Sequence, residues 1–459
     1  MSGHDKRETA DLVVVGASVG GLAAALLAAD QGARVIVAER AKVLGGSALH
    51  EPEHVAACGS RFQRAAGVDD SVDTMMADLV AETHHHIDPA FARALIGESA
   101  AVVEWLADRC GIVVSLVEQS HGRGHTKARL HAVGDQGGAG LIAALTQLAS
   151  RHQRIRTRPG VEGQALTIDQ GGRVTGVDLA RQRRSDPPGL DGAVLLACGG
   201  YAGADAVVQE HSPQVATLPA LSCESATGAG LALARAVGAR TERLEAMAVT
   251  PLLSVPAHLT VDTILISLGA VLVNQAGRRF VSEAADPLSV AMAVRAQPGK
   301  LAYLLFDERT ARAAGARNPF LAHVILPKTA RRAGSLADLA RQLMLDEGGL
   351  TRTIDTLNAN LELGGDPFGR DLEHRLEPPF HAIRVTGSRR RSLGGIAVDA
   401  GARVLRSDGT AVPGLFAIGG AIGGLARGEP ADELLGLATL MALGTARLAV
   451  GAWRADSTQ

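Results

Sequence analysis

The sequence predicts an α/β protein in which one domain, built from parallel strands and helices, is discontinuous and receives an α+β domain as an insertion. Three observations lead to this prediction. Residues 11–40 contain a β-branched run, a glycine turn, an Ala/Leu-rich helix and a second apolar run. Two later apolar runs also end in Gly-Gly pairs, whereas residues 245–384 lack this pattern. At 459 residues, the chain is too long for one compact core.

The first segment, DLVVVGASVGGLAAALLAADQGARVIVAER, has the order of a Rossmann-type βαβ unit. Residues 12–15 predict a strand, residues 19–31 a helix and residues 34–38 a second buried strand. This order of elements favours dinucleotide binding over a βαβ unit that merely packs against its neighbours.

Glycines stand where this unit needs them, with one exception. Gly16 and Gly21 occupy the first and third positions, where a tight turn and close helix packing exclude side chains. Ser18 replaces the middle glycine, and we expect its hydroxymethyl group either to be accommodated or to bond a phosphate oxygen. The helix N-terminus can then bind a pyrophosphate. Glu39 ends the second strand, where a carboxylate accepts hydrogen bonds from a ribose diol without a 2′-phosphate.

Similar strand-to-glycine turns recur along the chain. Residues 193–198 predict a strand that runs into Gly199 and Gly200, and residues 415–418 one that runs into Gly419 and Gly420. We expect these turns to meet the first one around a single ligand. The domain boundaries follow: residues 1–244 with 385–459 form the nucleotide-binding domain, and residues 245–384 form the insertion.

Other segments predict secondary structure without a site of their own. Helices are expected at residues 71–83, 89–109 and 431–453, and short strands at 155–157, 163–168 and 174–179. A Gly-Gly-x-Gly turn at residues 137–140 opens another helix. His84, His85 and His86 are adjacent, so they point in different directions and predict a polar helix end rather than a metal site.

Composition excludes several classes of function. The chain has 46 basic and 48 acidic residues, a balance that does not favour nucleic acid or an anionic membrane. Its polar N-terminus lacks an apolar signal region, and we expect a cytoplasmic location. The longest apolar run, residues 434–446, is shorter than the roughly 20 residues of a bilayer span. The four cysteines form no CxxC pair, so no metal or haem is predicted; they are Cys58, Cys110, Cys198 and Cys223.

Several motifs together resemble the fumarate reductase/succinate dehydrogenase flavoprotein family, which includes 3-ketosteroid dehydrogenases. They are VVVGASVGGLAAAL with Glu39, the Gly45-Gly46 loop, VLLACGG, GAVLVNQAGRRFVSE, AYLLFD and SLGGIAVDAGARVLRSDGTAVPGLFAIGG. The resemblance implies a Rossmann-like FAD-binding domain, discontinuous in sequence, with an inserted α+β capping domain. Only one dinucleotide fingerprint is present, so FAD is expected without a separate NAD(P)H site.

The resemblance also implies which residues contact FAD. They are Gly16, Ser18, Gly20, Gly21, Glu39, Arg40, Gly45, Gly46, Ser47, Ala197, Gly199, Gly419, Gly420 and Leu435. The position of the family's flavin-linking histidine falls on Ser47, so noncovalent attachment is expected, although His50 and His54 are close by.

The motifs depart from the family where its chemistry occurs. The histidine of the substrate motif becomes Thr250, and the positions of proton-relay residues fall on Thr263, Ile266 and, without a gap, Pro287. The paired histidines before the C-terminal Gly-Gly become Arg390 and Arg391. Fumarate is therefore not the expected substrate.

The resemblance implies an FAD-dependent oxidoreductase that moves hydride between flavin N5 and a CH–CH or C=C bond beside a carbonyl or carboxylate. Tyr303, Arg391 and Arg427 are the predicted catalytic residues, the arginines as anchors for an anionic or carbonyl group. A surface location of the arginines at 389–391 is an open alternative. Further acid/base candidates are His54, Asp286 and Glu429. The expected partners are a small-molecule substrate and an unidentified electron donor or acceptor.

An alternative is a flavin-binding protein that has lost catalysis and serves as a binding or assembly partner. The altered proton-relay positions favour this alternative, and the retained FAD motifs oppose it.

Overall fold

The computed structural model describes residues 6–46, 48, 54–83, 87–118, 124–134, 137–180, 187–221, 226–318, 320–363, 365–423, 425 and 434–458. The strands are β1 Glu8–Val15, β2 Val35–Glu39, β3 His54–Ala56, β4 Val114–Leu116, β5 Leu130–Val133, β6 Ile155–Pro159, β7 Gly163–Ile168, β8 Val174–Leu179, β9 Gly189–Leu196, β10 Thr241–Glu242, β11 Met247–Ser254, β12 Val271–Val273, β13 Ala302–Asp307, β14 Ala330–Ala333, β15 Phe380–Ser392, β16 Gly395–Ile396, β17 Arg403–Leu405 and β18 Ala411–Ala417.

The helices are α1 Val19–Asp30, α2 Arg61–Ala65, α3 Val72–Glu82, α4 Pro89–Gly97, α5 Ser99–Asp108, α6 Gly137–Arg151, α7 Asp205–His211, α8 Ala229–Ala236, α9 Ile264–Ser267, α10 Pro287–Arg295, α11 Glu308–Arg317, α12 Leu326–Thr329, α13 Leu336–Leu343, α14 Glu347–Leu363 and α15 Leu437–Ser457.

The chain divides into two compact units. The first comprises Met1–Gln214, Ser222–Ala248 and Arg391–Gln459, and the second comprises Val215–Leu221 and Val249–Arg390. The division lies a few residues from the expected boundaries. The second division falls within β15, between Arg390 and Arg391, rather than at residue 385.

The first unit is organised around a sheet in the order β17-β18-β9-β1-β2-β6. The strands from β18 to β6 are parallel; in their register, Val14 is opposite both Val37 and Leu195. β8 pairs antiparallel with the first part of β9, and β7 pairs with β8. Strands buried on both faces of a parallel sheet need continuous apolar runs, which explains the buried Leu-Val-Val-Val at residues 12–15 of β1.

Small apolar residues let α1 pack closely on its surroundings. Its Ala, Leu and Gly residues are almost all buried, and it lies against α15 and α6. The same unit contains a three-stranded antiparallel sheet, β3-β5-β4, and a two-stranded one, β10-β16.

The second unit is built on an antiparallel sheet in the order β11-β15-β13-β12, with β14 also paired to β15. Side chains alternate across β13, so that Leu304 and Phe306 belong to one apolar core and Tyr303 and Leu305 to another. This explains the apolar run AYLLFD without any functional role.

Two expected helices differ from the structure. Residues 89–109 form two helices rather than one, because Asp88 caps α4 and the chain turns at Glu98 before α5 begins. The final helix begins at Leu437, after Gly436 in a left-handed conformation, rather than at residue 431.

Candidate active site

The turn after β1 is closed by contacts that exclude a side chain. Gly16 has a φ of +107°, in the region that favours glycine, and a Cβ there would lie 2.5 Å from the carbonyl oxygen of Ala197. A Cβ on Gly21 would lie 2.1 Å from the carbonyl oxygen of Gly16. The first turn of α1 therefore packs directly on the end of β1.

Ser18 is the N-cap of α1. Its Oγ accepts a hydrogen bond from Gly21 N at 3.2 Å and donates one to the carbonyl oxygen of Ala197 at 2.9 Å. A hydroxyl has one hydrogen, so in this arrangement it has none to donate to a phosphate. Of the two roles expected for Ser18, the structure therefore favours accommodation in the turn. The other N–H groups of the first turn remain suited to an anion.

Glu39 joins the glycine turn to the end of β2. Its Oε2 accepts a hydrogen bond from Ala17 N at 2.8 Å, and its Oε1 accepts one from Ala41 N at 2.7 Å. Each carboxylate oxygen has a further lone pair, so a ribose hydroxyl can still donate to it. The neighbouring Arg40 is exposed, with its Nε 4.0 Å from Glu162 Oε1.

The loop after β2 returns to the same turn. Gly45 has a φ of +126° and donates a hydrogen bond from its N–H to the carbonyl oxygen of Ala17 at 3.0 Å. Gly46 follows with a φ of +60°. Both residues thus lie close to the first glycine turn. Ser47, predicted to contact the cofactor, lies outside the described residues.

The ends of β9 and β18 bring two more glycine turns together. Gly199 has a φ of +72° and Gly419 a φ of +61°. A Cβ on Gly420 would lie 3.5 Å from Gly200 N, so the two turns are adjacent. The Oγ1 of Thr445 in α15 accepts a hydrogen bond from Gly419 N at 3.1 Å, a contact that no sequence motif indicated.

Gly20, for which the resemblance implies a cofactor contact, also has a packing role. A Cβ there would lie 2.7 Å from the carbonyl oxygen of Ala442 in α15. Its missing side chain is therefore explained by the packing of α1 against α15.

Together these groups fit an extended dinucleotide. Three parallel strands, β1, β9 and β18, each lead into a glycine turn, a helix N-terminus is available for a pyrophosphate, and an acid is available for a ribose.

A model of the FAD binding domain family matches residues 11–431 of the chain. The chain belongs to this FAD-binding family. The resemblance seen in the motifs is confirmed, and FAD is the cofactor.

Individual relatives support this assignment. The NADH:fumarate oxidoreductase of Klebsiella pneumoniae (strain 342) is 28% identical over 424 residues, which cover 91% of this chain and 45% of that protein. The urocanate reductase of Eggerthella lenta is 26% identical over 428 residues, 89% of this chain and 69% of that protein. A solved flavocytochrome c3 fumarate reductase in an open conformation has a TM-score of 0.87 and 25% identity, over 98% of this chain and 79% of that one. The chain thus spans less than half the length of the Klebsiella relative.

The protein is accordingly a flavoprotein of an oxidoreductase family, with a mixed α/β FAD-binding fold. Across the ranges that the structure describes, no helix combines the length and the apolar character required to cross a bilayer.

Two of the predicted acid/base residues have structural roles. Tyr303 is 7% exposed in an apolar core of the second unit, and its hydroxyl is 3.5 Å from the carbonyl oxygen of Leu343. Asp286 is the N-cap of α10 and accepts a hydrogen bond from Ser289 N at 2.9 Å. Burial raises the pKa of Asp286, but the hydrogen bonds from Ser289 outweigh it and hold that pKa below its usual value. These placements argue against both residues as general acids.

The side chains at the altered substrate-motif and relay positions are also structural. The Oγ1 of Thr250 accepts a hydrogen bond from Leu252 N at 3.2 Å, and Ile266 packs in an apolar core. Pro287 is the first residue of α10, a position where a missing N–H costs nothing. None of these three side chains can deliver a proton to a carbon at neutral pH.

The remaining predicted residues are placed as follows. Arg389 is buried, so it does not lie at the surface, whereas Arg390 and Arg391 are half-buried on β15. His54 is half-buried at the start of β3. Other predicted residues lie outside the described residues, namely His84, His85, His86, Arg427 and Glu429.

Cys198 follows β9 beside these turns. Burial raises the pKa of its thiol to about 12, so it is protonated at neutral pH. It is therefore neither a nucleophile nor a proton acceptor there.

Leu435 was the last predicted cofactor contact. Its carbonyl oxygen lies 2.9 Å from His125 Nε2. His125 was not predicted to have a role, because the sequence between it and Leu435 contains no motif that relates them.

Proposed function

We propose that the protein is an FAD-dependent oxidoreductase that forms or reduces a C=C bond beside a carbonyl or carboxylate, with a substrate other than fumarate. The observation that carries the proposal is the structural use of Ile266 and Pro287, at positions where the family places its proton relay, and of Thr250, at the position of the family's substrate histidine. One relative is named urocanate reductase. Its name supports the proposal that members of this family use substrates other than fumarate.

Bound FAD supplies hydride transfer at its N5 atom. The chain must bind the dinucleotide, orient the substrate carbon and handle one proton. Gly16, Gly21 and Glu39 are proposed for the pyrophosphate and ribose, together with the turns at Gly199 and Gly419. We assign the second unit the role of the capping and substrate domain, by the resemblance and because it has no glycine turn of this kind among its described residues.

Arg391 is proposed as a substrate anchor, with Arg427 as a second. A guanidinium presents two parallel donors to a carboxylate and can also polarise a carbonyl. A half-buried position strengthens such a hydrogen bond, because less water competes for it. A substrate held in this way carries one anionic or carbonyl group and is otherwise larger and less symmetric than fumarate.

The reaction is tested by reducing the FAD-loaded protein anaerobically and mixing it with fumarate, urocanate, an aryl enoate or a 3-ketosteroid enone. Reoxidation is followed at the flavin absorbance maximum. At least one asymmetric acceptor should reoxidise the flavin, and fumarate should do so about 10²- to 10⁴-fold more slowly, the usual cost of losing one positioned acid. Rapid reoxidation by fumarate would contradict the proposal.

The anchor is tested with a matched pair of variants. Arg391→Gln should raise KM for the best acceptor about 10- to 100-fold, the value of a charged hydrogen bond, while FAD stays bound. Arg390→Gln is the control, since adjacent strand residues face opposite ways. Equal effects of the two changes would show that Arg391 is not the anchor. If no acceptor reoxidises the flavin, the alternative of a non-catalytic flavin-binding protein is favoured.

A further inference from the structure

A buried ionic cluster in the first unit takes no part in the proposed reaction. The side chain of Arg129 is fully buried, and its Nε and Nη2 donate to the two carboxylate oxygens of Asp70 at 2.7 and 2.9 Å. Its Nη1 donates to Asp78. Taking such charges out of water is costly, and buried ion pairs can often be replaced by apolar residues without loss of stability. Stability alone therefore does not explain this cluster.

His125 connects the cluster to Leu435. Its Nδ1 lies 3.4 Å from Arg129 Nη1, and its Nε2 lies 2.9 Å from the carbonyl oxygen of Leu435. A guanidinium only donates and a carbonyl only accepts. Nδ1 must therefore be the acceptor, and Nε2 must carry the proton. Burial lowers the pKa of His125, which favours the same neutral form.

Leu435 and Gly436 form the turn that opens α15. Gly436 has a φ of +79°, and its carbonyl oxygen accepts a hydrogen bond from Ala56 N at 3.2 Å. A Cβ on Gly436 would lie 2.7 Å from that nitrogen. The turn is thus held at two successive carbonyl groups, one by His125 and one by β3.

We propose that His125 is a positioning residue for the cofactor: it holds the Leu435–Gly436 turn, and hence the N-terminus of α15, in the orientation that binds FAD. Arg129 selects the tautomer that makes this contact, and Asp70 and Asp78 hold Arg129 in place. The inference rests on the proposed FAD-dependent function and on the contact between Leu435 and FAD that the resemblance implies, and not on any substrate.

The test measures the affinity of the apo-protein for FAD by fluorescence titration. His125→Leu removes the donor and should weaken FAD binding about tenfold, the value of one ordinary hydrogen bond. His125→Gln, whose amide can place a donor near the position of Nε2, should retain most of the affinity. Ser60→Ala is the control, because it removes a buried hydrogen bond of 2.8 Å to His131 that does not involve Leu435.

A second measurement separates positioning from general destabilisation. Amide hydrogen exchange at residues 436–439 of the apo-protein should accelerate in His125→Leu and stay unchanged in Ser60→Ala. If His125→Leu does not fold, His125→Asn replaces it: its shorter amide should fail to reach Leu435, so it should bind FAD less tightly than His125→Gln.

The proposal would be overturned if His125→Leu bound FAD as tightly as the wild type, or if Ser60→Ala lost as much FAD affinity as His125→Leu. Where His125→Asn is used instead, equal FAD affinities of His125→Asn and His125→Gln would overturn it. These measurements use FAD but no substrate. A failure of the proposed reaction would therefore leave them unaffected, and the two failures can be distinguished.

Discussion

The carboxylate of Glu39 accepts a hydrogen bond from the backbone N–H of Ala17 at 2.8 Å, linking the end of β2 to the turn after β1. Its other oxygen accepts from Ala41 N. The acid that is predicted to bind a ribose diol therefore also links the glycine turn to the loop that follows β2. Cofactor affinity and local stability should respond together when this residue is changed.

Replacing Glu39 with alanine should weaken FAD retention and also lower the free energy of unfolding of the apo-protein. Ala17 is fully buried, and a buried N–H left without an acceptor costs about 1–3 kcal/mol. Glu39→Gln keeps an acceptor and should lose less stability than Glu39→Ala. Urea unfolding of the apo-proteins and FAD titration provide the measurements. Unchanged FAD affinity in Glu39→Ala would remove Glu39 from the ribose site.

Adding one methyl group at Gly21 should damage the cofactor site. A Cβ there would lie 2.1 Å from the carbonyl oxygen of Gly16, so either α1 or the turn must move. Gly21→Ala should yield protein with little bound FAD. The control is Gly97→Ala at the end of α4, where no atom lies within 4 Å of the added Cβ. That change should be neutral or should stabilise by up to about 1 kcal/mol. A Gly21→Ala protein that purifies with full FAD would contradict the packing argument.

The second unit contains a buried ionic network whose members depend on each other. Glu283, which has no exposed side-chain surface, lies 2.7 Å from Arg279 Nη2 and 2.9 Å from Arg370 Nη1. Glu283→Gln leaves two buried guanidinium groups short of negative charge and should cost about 3–5 kcal/mol. Arg312→Gln, which removes an ion pair at the surface, should cost less than about 1 kcal/mol. Thermal unfolding compares the stability of the two variants with that of the wild type. Similar losses of stability in Glu283→Gln and Arg312→Gln would contradict the prediction.

Stability should fall as the pH is lowered below about 6.5. Burial lowers the pKa of both His125 and His131. The unfolded chain, with ordinary histidine pKa values near 6.5, then binds more protons than the folded one. For each histidine, the free energy of unfolding therefore increases with pH by at most about 1.4 kcal/mol per pH unit.

The charged groups near His125 are Arg129, Asp70 and Asp78; Arg129 opposes its protonation and the two carboxylates favour it. Burial is nevertheless the largest influence on the pKa of His125. Urea unfolding at pH 5.5 and 7.5 should show lower stability at pH 5.5, and His125→Gln should reduce the difference. Equal stability of the wild type at both pH values would refute this prediction.

The sequence alone determined the nucleotide-binding half of the fold. A β-branched run, glycines in order, an Ala/Leu helix and a terminal acid are local features, because turn geometry and strand burial act within about thirty residues. That is why the glycine turn at Gly16 and Gly21 and the strand that ends at Glu39 could be predicted, and why the motifs identified the family and the cofactor.

Only the tertiary structure decided what the other residues do. Tyr303, predicted to be catalytic, packs in a core of the second unit, and Gly20, predicted to contact the cofactor, also accommodates α15. The contact from His125 to Leu435 joins residues that are far apart in the chain. Such roles depend on which distant elements pack together, and spacing along the sequence carries no record of that packing.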